Sequence, residues 1–104
     1  MHKQEISQLE NIISYKFDDK FKLKQSLTHK SFDQNKNNEL LEFLGDRILG
    51  LVIAEKLVAD FPNDSEGLLD KRFSRLVNKD TCFNVSRSLN LGDFILLGST
   101  EISS

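Results

Sequence analysis

The sequence predicts an all-α fold, on three observations. Apolar residues recur at helical spacing, as in Ile6, Leu9 and Ile13 at i, i+3 and i+7. A long stretch from Glu39 to Asp60 carries no proline and is closed by Pro62. Nowhere is an alternation of apolar and polar residues sustained as a half-buried strand requires, and no repeat or low-complexity segment interrupts the chain.

In chain order, residues 4 to 14 read as an amphipathic helix. Asp18-Asp19 reads as a turn or helix start ahead of Phe21, Leu23 and Leu27. Residues 33 to 38, Asp-Gln-Asn-Lys-Asn-Asn, form a polar break supplied with N-cap residues. The helix from about Glu39 to Asp60 follows. Leu41, Leu44, Ile48, Leu51 and Val52 share one side of it, and Phe43 and Ile53 flank the other. A helix apolar over most of its circumference is expected to be central, covered by other helices or by a partner chain. Asn63 with Glu66 three residues on resembles a capping box for a helix carrying Leu68, Leu69, Phe73, Leu76 and Val77. Asn78 or Asp80 caps another, expected to end near Leu91 with Gly92 as its C′ residue. Phe94-Ile95-Leu96-Leu97 is a short apolar run, broken by Gly98-Ser99-Thr100.

A chain of 104 residues fits one domain with a modest core. Hydrophobic residues at 38% and charged residues at 29% exclude intrinsic disorder. No apolar run is long enough to span a membrane, and Met1-His2-Lys3-Gln4-Glu5 lacks the apolar core of a signal peptide. Cys82 stands alone, which excludes an internal disulfide and points to a reducing compartment, the cytoplasm. It is expected to be a small buried hydrophobe rather than a nucleophile. His29 has no Cys or His at ligand spacing and reads as a satisfied structural histidine; His2 reads as terminal and mobile.

The net charge of −2 conceals a segregation. Residues 39 to 70 hold eight acidic and two basic side chains, whereas residues 71 to 87 hold five basic residues against Asp80. An acidic centre beside a basic segment suits a metal site next to a surface that follows phosphates. Lys71, Arg72 and Arg75 are the candidates for that surface, and a solvated helix face is the plainer reading for each alone.

Glu39, Glu42 and Asp46 lie at i, i+3 and i+7, on one face of the long helix. Glu42 and Asp46 form a like-charge i, i+4 pair, which costs an isolated helix about 0.2–0.5 kcal/mol. Arg47 is set about a quarter-turn away, so the stripe is expected to lack a basic partner. Carboxylates gathered without a cation suit a hard divalent metal ion.

The segment Asn38-Glu39-Leu40-Leu41-Glu42-Phe43-Leu44-Gly45-Asp46 resembles the signature of ribonuclease III, the double-stranded-RNA endonuclease of bacterial type. Leu40 is its one departure, where Arg is common. Leu27-Thr28-His29-Lys30-Ser31, Phe61-Pro62 with Ser65-Glu66-Gly67, Leu76-Val77-Asn78 and Leu89-Asn90-Leu91-Gly92 also resemble family segments in order, from about Tyr15 to Glu101.

The resemblance implies an all-α, ribonuclease III-like helical nuclease domain. It implies a Mg²⁺-dependent homodimer, with Mn²⁺ able to substitute, that cuts double-stranded RNA in ribosomal and messenger precursors. The products would carry 5′-phosphate and 3′-hydroxyl ends with a short 3′ overhang. It assigns Glu42 and Asp46 to the metal cluster and to catalysis, and Glu39 and Glu66 to auxiliary acidic roles near the cleft. Helix-terminal stabilisation and capping are equally good readings of those two. Phe43 would be a knob entering a socket on the twin subunit, with core packing as its alternative. Family members complete the cluster with a later Asp and Glu and add a double-stranded-RNA-binding domain. Neither is expected within residues 1 to 104, which read as a C-terminally truncated nuclease domain, inactive alone. The rival reading is a catalytically silent relative that keeps the dimer and binds structured RNA.

Overall fold

The computed structural model describes residues 1–98, and those residues are helical apart from turns and one bridge. In chain order the elements are α1 (Lys3–Ile13), α2 (Lys20–Ser26), α3 (Glu39–Asp60), α4 (Glu66–Val77), α5 (Lys79–Ser88) and a 3-10 helix (Leu91–Phe94). The all-α expectation therefore holds. The expected extents of the first helix and of the long helix agree with α1 and α3 to within a residue.

The core lies at one end of the molecule. Leu9 of α1, Leu23 of α2 and Phe94 of the 3-10 helix are buried together, with Ile6, Ile13, Phe17 and Leu91 packed around them. Asp19 caps α2 by accepting from the Lys22 N–H at 3.0 Å. Glu10 ties the α1–α2 connection: its Oε2 accepts from Lys20 Nζ at 2.7 Å and from the Phe17 N–H at 2.7 Å.

The hydrogen bond from Lys20, and then that from Phe17, hold the Glu10 carboxyl below its ordinary value of 4.5. A carboxyl with a depressed folded-state pKa contributes stability above its unfolded value, and loses it as pH falls through the folded value. Glu10→Gln should therefore melt at a lower temperature than wild type at neutral pH, and the gap should close as pH falls below 4.5. Thermal melts across that range check it, and a gap independent of pH would refute the linkage.

A second tie joins the chain's last described residues to the loop after α2. The Leu96 N–H donates to the Leu27 carbonyl at 2.8 Å and the His29 N–H to the Leu96 carbonyl at 2.9 Å, which makes the Thr28–Leu96 parallel bridge. Gly98 follows with its N–H on Ser31 Oγ at 2.9 Å. A Cβ there would sit 2.5 Å from the Ser31 carbonyl oxygen, so only glycine allows this approach. His29 is satisfied as expected: its Nδ1 accepts from the Ser31 N–H at 3.1 Å and meets Ser31 Oγ at 2.7 Å. Ser99, Thr100 and the last four residues of the sequence, Glu101 to Ser104, lie outside the described residues.

Three local expectations are corrected. Ser65, not Asn63, caps α4: it is extended (φ −68°, ψ 162°), and its Oγ accepts from the Leu68 N–H at 3.3 Å. Asn63 is held back in the turn that the Asp64 N–H closes on the Phe61 carbonyl. The chain reverses after α5 at Asn90 (φ 55°), one of the few residues besides glycine that tolerates the left-handed region, and Gly92 is inside the 3-10 helix. The His2 carbonyl accepts the Ile6 N–H at 3.1 Å and starts α1, while its side chain is exposed and makes no capping hydrogen bond. Cys82 is exposed rather than buried, because α5 is covered by α4 and the 3-10 helix on other faces. Asn78 does cap α5, accepting from Thr81 N–H at 2.8 Å.

The largest correction concerns α3. Its covered side is the one that continues the carboxylate stripe: Gly50, Ile53, Ala54 and buried Leu57 face α4, and Phe73 lies 3.4 Å from where a Gly50 Cβ would be. The apolar side opposite is open, with Leu44, Ile48, Leu51 and Val52 all exposed and Leu51 at 68%. Among the described residues α3 is thus not enclosed. Its C-terminal half leans on α4, and the rest projects from the α1–α2 core.

Candidate active site

The side chains of the signature segment sit on the first two turns of α3, held by the loop that leads into it. The Asn38 N–H donates to the Thr28 carbonyl at 2.9 Å, and the Glu39 N–H donates to Asn37 Oδ1 at 3.1 Å. Asn37, rather than Asn38, is therefore the side chain that caps the helix start. With acidic Glu39 and Glu42 in the first turn, the helix start also stabilises negative charge.

Glu42 is exposed and makes no ion pair or side-chain hydrogen bond among the described residues. Asp46 follows one turn on, also exposed. The expected absence of a basic partner is corrected here. Arg47 Nη1 reaches back to Asp46 Oδ2 at 2.9 Å, with both side chains about three-fifths exposed. Its guanidinium also covers the Phe43 ring at 4.2 Å from the centroid. A flexible three-carbon stem overrides the quarter-turn offset, since Phe43 and Arg47 stand at i, i+4. That spacing was the available signal for the contact. At the head of the stripe, Lys30 Nζ lies 3.7 Å from Glu39 Oε1. Such solvated pairs contribute about 0–1 kcal/mol and open readily.

Phe43 is 57% exposed and is not part of the core, which removes the core-packing alternative for the described chain. Glu66 opens α4 and is exposed. It borders a groove of about 300 Å³ with Leu57, Val58 and Asp70. Leu57 is eleven residues beyond Asp46, about 16 Å along a helix axis. The fold therefore does not bring Glu66 to Glu42 and Asp46 within this chain. Asp70, one turn beyond Glu66 in the same groove, was not singled out from sequence, although its i, i+4 spacing to Glu66 repeats that of Glu42 and Asp46. Among the described residues no group of three or more His, Cys, Asp or Glu converges as metal ligands.

The three basic candidates on α4 separate. Lys71 and Arg75 stand at i, i+4 on one exposed face and make no ion pair among the described residues. Arg72 is committed elsewhere: its Nε donates to Asp64 Oδ2 at 2.7 Å and its guanidinium stacks 3.7 Å over Phe61. Those contacts fasten the α3–α4 turn.

Comparison with known proteins supports the resemblance. The sequence model of the Ribonuclease-III-like family matches residues 19–104. Ribonuclease 3 of Pelagibacter ubique is 49% identical over 89 residues, 86% of this chain and 40% of that protein. Ribonuclease 3 of Campylobacter jejuni is 49% identical over 96 residues, 92% of this chain and 43% of that protein. The chain spans about two fifths of the length of these curated relatives. A crystal structure of the nuclease domain of ribonuclease III from C. jejuni superposes with a TM-score of 0.87 at 48% identity, covering 94% of this chain and 67% of that one. Another structure of that domain, described for flexibility in a region involved in dimer formation, gives a TM-score of 0.89 and covers 68% of its chain. Signature segment, all-helical fold and near-full-length similarity agree, and the chain belongs to the ribonuclease-III-like family.

Proposed function

We propose that this chain is the larger part of the nuclease domain of a Mg²⁺-dependent endoribonuclease that cuts double-stranded RNA as a homodimer. The observation that carries the reading is the Glu42–Asp46 pair: two exposed carboxylates one turn apart on the long helix of a ribonuclease III nuclease-domain fold. The donor set fits the metal. Mg²⁺ is commonly held by one or two carboxylates, with waters and substrate oxygens completing its shell, and Mn²⁺ accepts the same oxygens. When bound, such an ion supplies a nucleophilic water and neutralises charge on the phosphate.

The chain's own residues do the rest. Glu42 is open to ligate without first breaking a contact, whereas Asp46 must exchange its exposed Arg47 partner. Glu39 stands at the head of the same face as a lesser acidic contributor, tied loosely to Lys30. Lys71 and Arg75 offer a phosphate-facing strip on α4. Phe43 and the open apolar side of α3 suit burial against a second copy, which would also provide the route for Glu66 to approach a carboxylate stripe that its own chain keeps distant. Ribosomal and messenger precursors are the proposed substrates and the cytoplasm the proposed location. No helix among the described residues is long and apolar enough to cross a membrane.

The test is cleavage of an end-labelled RNA duplex by the native protein in Mg²⁺, with product ends carrying 5′-phosphate and 3′-hydroxyl groups. Binding without cutting in Mg²⁺ or Mn²⁺ would favour the silent RNA-binding scaffold. That rival draws on the Arg47–Asp46 pair, which shields one of the two carboxylates. The 104-residue chain by itself is expected not to cut: Glu42 and Asp46 offer two carboxylates that hold Mg²⁺ weakly, and the cluster the resemblance implies is completed by a later Asp and Glu. Metal-dependent cutting by this chain, absent from its Asp46→Asn counterpart, would show that Glu42 and Asp46 suffice.

A further inference from the structure

A second surface carries chemistry that the carboxylate helix does not use. Between α2 and the 28–38 loop lies a groove of about 240 Å³, lined by Phe21, Lys24, Gln25, Phe32, Asp33 and Lys36 among others. Phe21 is 89% exposed, the largest exposure of any large apolar side chain described, and Phe32 is also exposed. Neither ring belongs to the core. Lys24 and Lys36 make no ion pair among the described residues, while Lys20 and Lys30 of the same segment do. Asp33 stands in the same groove and offsets one of these two charges, which leaves the pair net cationic. Its Oδ1 is already taken up by the Asn35 and Lys36 N–H groups at 2.9 and 3.0 Å. Six lysines against three aspartates between Lys16 and Lys36 make the segment basic in a chain whose net charge is −2.

Open aromatic faces beside unpaired cations are the chemistry that takes a nucleobase and its phosphates. A duplex keeps its base faces stacked inside except at its ends, so along its length an aromatic groove has only unpaired nucleotides to engage. An acidic peptide would satisfy the lysines and leave the rings without a matched face. The groove is also continuous with the carboxylate helix. Its 28–38 wall is pinned at the start of α3 by the Asn38 N–H on the Thr28 carbonyl at 2.9 Å and the Glu39 N–H on Asn37 Oδ1 at 3.1 Å.

We propose that this groove holds an unpaired nucleotide flanking the duplex, its base against Phe21 and Phe32 and its phosphates against Lys24 and Lys36. The inference rests on the reading of RNA as substrate. It adds that single-stranded flanks are bound at a place of their own.

The experiment compares the native protein with its Phe21→Ala and Lys24→Glu variants, in Ca²⁺ to block cutting. Three labelled probes are titrated: a blunt RNA duplex, the same duplex with an unpaired flank, and the flank strand alone. Phe21→Ala is expected to weaken the flanked duplex and the single strand by about tenfold and to leave the blunt duplex unchanged. Lys24→Glu is expected to weaken both flank-bearing probes and to flatten their salt dependence. Equal weakening on all three probes, or no change on any, overturns the proposal. So does a changed oligomeric state of Phe21→Ala on sedimentation, which would make a second copy the occupant. If wild type neither binds nor cuts the blunt duplex, the proposed function fails while the single strand still tests the groove. Because Phe21 is almost fully exposed, Phe21→Ala is expected to keep the wild-type circular dichroism spectrum and melt.

Discussion

Asp46→Asn is expected to reduce cleavage of double-stranded RNA by the native protein at least a hundredfold, while binding of the duplex in Ca²⁺ stays close to wild type. The substitution preserves size and removes one of two carboxylates proposed to hold the metal, and loss of such a ligand removes several kcal/mol of transition-state stabilisation. It cannot act by unfolding the protein. Asp46 is exposed, and its pair with Arg47 is solvated on both sides, a contact worth about 0–1 kcal/mol. Arg47→Ala separates the two effects: it removes the same ion pair and keeps the carboxylate, so it should retain cutting. Single-turnover rates at limiting Mg²⁺ provide the measurement. An Asp46→Asn protein that cuts at the wild-type rate there would remove Asp46 from the site, and equal losses in both variants would make the ion pair, rather than the metal, the relevant contact.

Phe43→Ala is expected to weaken self-association by at least two orders of magnitude, since a two-fold dimer loses the ring from both subunits. Removing a fully buried Phe side chain costs about 3–5 kcal/mol, and each 1.4 kcal/mol is about tenfold in a dissociation constant. In the single chain Phe43 is more than half exposed, with the Arg47 guanidinium over its ring, so monomer stability should hardly change. The full cost should therefore appear in the dimer. The neighbouring open side of α3, with Leu44, Ile48, Leu51 and Val52, has the apolar character of an interface centre. Sedimentation velocity on a dilution series, with circular dichroism as the control for fold, measures the effect. A dimer that persists unchanged at low concentration would refute the knob role of Phe43.

The helices were legible because each has a local cause. Asp19, Asn78 and Pro62 act on backbone groups a few residues away, so their effects survive in the structure as read. Errors arose where two local solutions competed. Ser65 and Asn63 both precede α4 and both can cap, and the choice fell to the turn at Phe61–Asp64. Asn90 and Gly92 both tolerate a left-handed backbone, and the 3-10 helix claimed Gly92. Arg72 looked like a phosphate ligand in a basic run. Its job as the clasp of the α3–α4 turn depends on Asp64 and Phe61, which only folding brings under it.

For the candidate site the division is sharper. Spacing along one helix is a property of 3.6 residues per turn, so the sequence by itself determined that Glu39, Glu42 and Asp46 share a face and that Leu44, Ile48, Leu51 and Val52 occupy the opposite one. Which face is covered is a property of neighbours. Only the tertiary structure decided that α4 packs along the continuation of the carboxylate side, leaving the apolar side open. Only it decided that Arg47 folds back over Phe43 onto Asp46, and that Glu66 stands against the far end of α3. The physical reason is the same in each case. Helical periodicity is set by backbone bonds four residues apart, whereas burial and pairing are set by elements that sequence order does not place side by side.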